Sequence, residues 1–289
     1  MLLIHNKKIR QISAILETAN LLLLKLALHR GKLTLYPGCV FRTYMHLGGQ
    51  GPFRCGELSE LIPADESCRA VVDYRQGHGI RVDIKEFACL SAITRVCRPS
   101  AIFEIGTFRG LTTLHFALNS PASCKVYTLD LPHDERATFA STTNATDASI
   151  IAQSKTGVEF KEEEVACKIT QLFGNSLSFD FLPYAESMDI VFVDGAHHYE
   201  AALSDTRNAF RMLKPGGWLI WHDFANYGDY NDVMRAAFAV IPAKEVFLIE
   251  NTQLAVYKKA LSSEVFDLKP TSPPARSSYD GAIIGIQTL

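Results

Sequence analysis

The chain has 289 residues, 47% of them apolar and 21% charged, with a formal net charge of −2, which describes one large globular domain or a domain carrying an added cap. The near-neutral balance, with no Lys/Arg stripe interleaved with aromatics, gives no support to nucleic acid as a partner. Seven cysteines, an odd number without Cys-x-x-Cys spacing, argue against a zinc site or disulfide framework and for a reducing, cytoplasmic setting.

In chain order, Ile9, Ile12, Leu16, Ala19, Leu23 and Leu26 keep helical spacing up to His29-Arg30-Gly31, which predicts an amphipathic helix. Its apolar stretch Leu21–Leu24 is cut by Lys25 and falls far short of the ~20 residues of a membrane span. No small-residue cleavage site follows it, so it does not read as a signal peptide. Such a helix packs on the domain, lies on a membrane surface as a peripheral contact, or pairs with a second copy in a homo-oligomer. Residues 31–79 are rich in Gly, Pro and Cys, with turns at Tyr36-Pro37-Gly38 and Gly48–Pro52. Residues 1–80 are therefore expected to form a helix and loop-rich cap, 81–260 a core, and 261–289 a surface tail interrupted by Lys269–Pro274.

Within the core, Asp83 with Glu86 has the pattern of a capping box ahead of Ile84, Phe87, Leu90 and Ile93 on one helical face. A strand-length run at 101–105 ends in the turn Gly106–Gly110, which opens a second helix. Further strand-like runs are Val126–Asp130, Ile169–Phe173, Met188–Val193 and Gly217–Asp223, the last launched from Lys214-Pro215-Gly216 after a helix over Tyr199–Leu213. Between the second and third runs, 133–167 holds the polar stretch Ser141–Thr146 and a solvated, helix-like run from Phe160 to Glu164. Glu245–Ile249 and Gln253–Lys258 read as a closing hairpin. Strand alternating with helix specifies an α/β, doubly wound, mainly parallel sheet covered on both faces, finished by an antiparallel strand.

The chemistry concentrates at the ends of these strands. Gly106 and Gly110 let the backbone approach a ligand, and the next helix offers it unpaired N–H groups. Glu104 stands before them on a buried strand, where a carboxylate is costly unless paired. It is read as holding a cationic or hydroxylated part of the ligand, the alternative being an ordinary strand-to-helix turn. The spacing Glu-x-Gly-x-x-x-Gly is not the three-glycine pattern of dinucleotide binders. Asp130, about twenty residues on, is placed as a ribose-binding acid.

Taken together, Phe103–Gly110, Thr128-Leu129-Asp130, Gly174-Asn175-Ser176, Val193–Tyr199, Leu213–Gly217 and Trp221-His222-Asp223 resemble a class I S-adenosylmethionine-dependent methyltransferase. Within that group the branch is methyltransferase domain 24, related to catechol-type and sugar O-methyltransferases. The resemblance covers roughly residues 80–260 and implies a Rossmann-like, seven-stranded sheet with an antiparallel last strand. It implies that Glu104, Gly106, Thr107, Phe108, Gly110 and Thr112 surround the methionine end of the cofactor. Asp130 would take the ribose hydroxyls, Leu131, Asn175 and Ser176 border the adenine, and Asp194 lie beside the methyl group. Asn175 replaces the acid usual next to the third-strand serine.

In the catechol-type relatives a divalent metal is held by acids corresponding to Asp194, His222 and Asp223, with a base at the position of His197. Magnesium or manganese is the ion the resemblance implies, yet an imidazole at position 222 is a poor ligand for a hard cation. The alternative is a His222–Asp223 pair that shapes the pocket floor. His197 suits proton removal, with an unperturbed pKa of about 6.5, or hydrogen-bonds the substrate without taking a proton. His198 is read as surface or packing. The expected activity is O-methylation of a small-molecule or glycan acceptor, catalysed through His197 and Asp194. A non-catalytic cofactor-binding protein or a nicotinamide-dependent oxidoreductase is the alternative.

Overall fold

A computed structural model describes residues 53–62, 68–75, 83–136, 155–224 and 230–261. Strands β1 (Arg54–Gly56), β2 (Ala101–Ile105), β3 (Lys125–Asp130), β4 (Ile169–Phe173), β5 (Met188–Val193), β6 (Leu213–Trp221), β7 (Phe247–Ile249) and β8 (Ala255–Lys258) form one sheet. Helices α1 (Ile84–Cys97), α2 (Leu111–Asn119), α3 (Tyr199–Met212) and α4 (Tyr230–Phe238) cover it. The strand order is β1-β7-β8-β6-β5-β2-β3-β4. Every pairing is parallel except those of β8, which runs antiparallel to both β6 and β7.

Period-two alternation divides the core between the two faces. Ile102, Ile190, Phe192 and Ile220 pack with Leu90 and Ile93 of α1 and Phe116 of α2. Phe103, Ile105, Val191, Val193, Leu219 and Trp221 pack with Ala202, Ala209 and Phe210 of α3 and Val233 and Met234 of α4. Both clusters are almost wholly removed from solvent, the condition for a parallel sheet buried on two sides.

Register places the site. Ile105 lies opposite Leu129 and Val193, and Val193 opposite Trp221. The strands end in one row, so Gly106, Asp130, Asp194 and His222 follow side by side. The chain winds outward from β2 to β3 and β4, then returns to β5 on the other side of β2. A crevice opens at such a reversal, and ligands bind there in open α/β sheets.

The sheet has an eighth strand beyond the seven expected. β1, from the segment assigned to the cap, pairs in parallel with β7 at the edge. β6 begins at Leu213 rather than after the Lys-Pro-Gly turn. Met188 pairs with Leu213 and Ile190 with Trp218, so residues 214–217 bulge out within the strand, with Gly216 at φ +80. The run 160–164 is not a helix of its own: Phe160 is buried in a turn, and a 3-10 segment follows over Glu164–Lys168. Among the described residues no helix is long and apolar enough to cross a membrane. The predicted N-terminal helix, the turns at 36–38 and 48–52, the polar stretch 141–146 and the tail beyond 261 lie outside the described residues.

Candidate active site

The glycine turn is fixed by backbone geometry that only its own residues permit. Gly106 adopts φ +103, and a Cβ there would fall 2.0 Å from the Asp194 carbonyl oxygen. The N–H of Asp194 in turn donates to Ile105 at 2.8 Å. Phe108 sits at φ 47, a costly conformation for an aromatic residue. It is held there because its N–H donates to Asp130 Oδ2 at 2.8 Å. The other Asp130 oxygen accepts from Leu131 N at 2.7 Å. Burial pushes the Asp130 pKa up, and these two N–H groups with Arg136 oppose that shift.

Glu104 lies beneath the turn, with none of its surface exposed. Its Oε2 accepts from the Thr113 hydroxyl and, at 2.6 Å, from the Thr128 hydroxyl. Thr107 meets Thr128 at 2.6 Å and accepts from Gln171 Nε2 at 3.0 Å. Glu104 Oε1 has no hydrogen-bond partner. Burial raises the Glu104 pKa to about 8, so the acid carries a proton at neutral pH.

Across the crevice, acids and histidines cluster. Asp194 follows β5, His197 lies in the turn before α3, and His222 and Asp223 follow β6. His197 Nε2 stands 2.6 Å from Asp223 Oδ2. His222 Nδ1 is 2.9 Å from the same oxygen and 3.3 Å from Asp194 Oδ1. Its Nε2 is 3.0 Å from Glu86 Oε2. Burial alone would lower the His222 pKa, but Asp194, Asp223 and Glu86 together raise it well above its ordinary value. His222 is thus an imidazolium with both ring nitrogens donating. Burial would raise Asp223, yet the hydrogen bonds from His197 and His222 hold it well below the usual carboxylate range. One ligand atom each from Asp194, His197 and Asp223 can lie within 4.8 Å of the others, an arrangement able to hold a cation. The His222 nitrogens are turned to carboxylates instead.

Gly106, Thr107, Phe108, Gly110, Thr112, Asp194 and His222 line one cavity, so most of the turn residues named from the sequence meet the strand-end cluster in one place. Leu131 follows Asp130 at the end of β3. Asn175 is used locally, its Oδ1 accepting from Leu177 N at 3.0 Å. Ser176 lies near Asp205, a fully buried acid of α3 whose pKa burial raises to about 7. His198 stands at the N-terminus of α3.

Several lining residues carry no sequence signal of their own. Glu86 reads as a cap, but the cap is made by Asp83, which accepts from Lys85 N. Arg75, Arg109 and Glu159 also line the cavity. Arg109 meets Glu159 at 2.6 Å, and Arg75 bridges Asp73, at 2.7 Å, to Glu163. Segment 71–75 is tied to the helices by Asn119, bonded to Val71 N at 2.7 Å, and by His115 Nε2, which accepts from Asp73 N at 3.1 Å. Pairings over such sequence distances have no local pattern from which to read them.

The strand ends of a doubly wound, Rossmann-like sheet thus carry a glycine turn, the acid Asp130 and an acid-histidine cluster along one edge. Residues 103–224 match the family model described as a methyltransferase domain, of the type-24 branch. No curated protein matches the sequence significantly. Among solved structures, the chain is similar to the O-methyltransferase TomG from Streptomyces achromogenes in complex with SAM, at 17% identity over 62% of this chain and 82% of that one, with a TM-score of 0.41. It is similar to the O-methyltransferase from Bacillus cereus in complex with SAH, at 15% identity, 62% and 83% coverage and a TM-score of 0.41. It is also similar to the SAH-bound methyltransferase PaMTH1 from Podospora anserina, at 14% identity, 62% and 80% coverage and a TM-score of 0.45.

Proposed function

We propose that the protein methylates an oxygen of a small-molecule or sugar-containing acceptor, using S-adenosylmethionine. The observation that carries this reading is the meeting of the glycine turn with Asp194 and His222 in one cavity, with the His197–Asp223 pair adjoining it. Bound adenosylmethionine supplies an electrophilic methyl group on a good leaving group, so the protein's part is alignment and removal of the acceptor's proton.

The chain's own residues divide that work. N–H groups of the first turn of α2 receive the methionine carboxylate, as helix N-termini receive anions. Asp130 keeps lone pairs beyond those used by Phe108 and Leu131, and these accept from the ribose hydroxyls. Leu131, Asn175 and Ser176 border the adenine. Glu104 acts from below, holding the threonine hydroxyls that set the turn. His197, oriented by Asp223 Oδ2 at 2.6 Å from its Nε2, takes the acceptor proton.

A second reading rests on the spacing of Asp194, His197 and Asp223. Two carboxylate oxygens and one imidazole fit manganese or a softer divalent ion better than magnesium. These three residues would hold it, His197 taking the place the sequence assigned to His222, and the ion would polarise the acceptor hydroxyl. His197 cannot be both ligand and base, so chelation separates the readings. Full activity after complete chelation leaves His197 as base, whereas loss restored by manganese makes it a ligand. The proposal as a whole is tested by calorimetric titration with S-adenosylmethionine and with NAD. Binding of NAD alone overturns it. Adenosylmethionine binding without methylation of any acceptor in a broad screen turns it toward a cofactor-sensing protein.

A further inference from the structure

Glu86 spends a buried carboxylate where a helix has no need of one. Asp83 already caps α1, and Glu86, only 7% exposed, turns away from the helix end and toward the sheet. Its Oε1 accepts from Gln253 N at 2.6 Å, and its Oε2 meets His222 Nε2 at 3.0 Å. Both oxygens are thus used, which offsets the cost of taking an acid out of water. The His222 ring is a rigid spacer between its two nitrogens. Held at Nε2 by Glu86, it delivers Nδ1 to Asp223 Oδ2 at 2.9 Å and to Asp194 Oδ1 at 3.3 Å. Phe192 meets the same ring edge-on, 6.3 Å between centroids, and the Asp223 oxygen that accepts from His222 also meets His197 Nε2 at 2.6 Å.

We propose that Glu86 is a positioning residue for the strand-end cluster: by fixing the His222 ring from its far side it sets the separation of Asp194 and Asp223 and, through Asp223, the orientation of His197. Removing the bond at Nε2 lets the ring turn about its Cβ–Cγ bond and withdraws the donor that sits between two carboxylates. Those carboxylates then repel, and Asp223 shifts under His197. Glu86 itself needs no contact with the acceptor. This assignment rests on the methyltransferase reading for its effect on turnover, but not for its effect on the histidine rings. A plain structural bolt between α1 and the β7–β8 connection would account for the Gln253 bond alone.

The test is the Glu86→Gln variant, which keeps the shape and an oxygen for Gln253 N. Ring 15N spectra of the cofactor-free protein, with His197 and His222 assigned from His197→Ala and His222→Asn, are expected to show both rings shifted, although His197 does not touch Glu86. An unmoved His197 signal overturns the proposal whether or not an acceptor is known. With an acceptor, kcat is expected to fall about 10- to 100-fold, the usual cost of removing a residue that orients a site group, while KM and adenosylmethionine affinity stay within about threefold. Combined with His222→Asn the losses should not multiply, since both act through one ring. Multiplicative losses, or a fall in cofactor affinity that matches the fall in kcat, also overturn it. Should Glu86→Gln fail to fold, Glu86→Asp, one methylene too short to reach both partners, carries the same test.

Discussion

The two walls of the cavity handle buried acids in opposite ways. Beneath the glycine turn, Glu104 is kept protonated, its pKa raised by burial, and it ends a run of threonine hydroxyls backed by Gln171. Across the crevice, Glu86, Asp194 and Asp223 surround a charged His222. The first wall shapes main chain and presents N–H groups, a task for neutral hydrogen bonds that hold geometry without a field. The second gathers charge, and it is where the proposed function has the acceptor lose its proton. The partners of each buried carboxylate, threonine hydroxyls on one side and histidines on the other, set its charge.

The sharpest way to break the contrast is His197→Ala. Loss of a general base costs about 10²- to 10⁴-fold, so kcat should fall at least a hundredfold while calorimetry shows adenosylmethionine still bound within a few-fold. Turnover close to wild type removes His197 from the chemistry. Gly106→Ala attacks the other wall: with φ +103 and the Asp194 carbonyl 2.0 Å from the new Cβ, a cost of about 3 kcal/mol is expected from combined strain and overpacking. It should appear as a lower denaturation midpoint and lost cofactor binding, and a midpoint equal to wild type would contradict the geometry.

Glu104→Gln sharpens the comparison through pH. The unfolded chain releases this proton near 4.5, the folded one only near 8. The acid's contribution to stability is therefore full below 4.5 and lost as pH rises through 8. Replacing it should flatten the fall of Tm between pH 5 and pH 8, with Asp205, raised to about 7, leaving a residual slope of the same sign. An unchanged slope would mean that Glu104 ionises normally. The smallest effect is expected from Lys214→Ala at the opposite end of the sheet. The Lys214–Asp189 pair, at 2.9 Å, is part-exposed, and such pairs contribute about 0.2–1 kcal/mol. Urea denaturation should register less than 1 kcal/mol and no change in turnover.

What the sequence reveals and conceals follows the same division. Strands β2 to β6 are legible because each alternates or runs apolar over strand length, and an acid or small residue marks each end. Once strand ends align in a parallel sheet, Gly106, Asp130, Asp194 and Asp223 must gather at one edge. The alternation that sets Ile102 against the α1–α2 face sets Glu104 on it too, toward Thr113, so its place beneath the turn is implicit in the pattern. Side-chain partners across long separations are another matter. Glu86 and His222 lie 136 positions apart, and the first turn of a helix is where an acid is ordinarily explained by capping and the helix dipole. The three-residue strand β1 is too short to show a period, and Lys214-Pro215-Gly216-Gly217 has every mark of a turn although the strand passes through it as a bulge.

The missing side chain at Gly106 has a mechanical meaning. The Asp194 carbonyl occupies the place a Cβ on Gly106 would take, so the glycine turn and the start of the β5 strand-end segment meet main chain to main chain, and under the proposed function that contact joins the donor-binding turn to the residue beside the methyl group. Their spacing is then set by main-chain packing and the Asp194 N–H to Ile105 hydrogen bond rather than by rotamers, and it would stay constant while acceptors of different size come and go. Donor alignment would survive evolutionary changes of acceptor that rebuild everything else around the cavity.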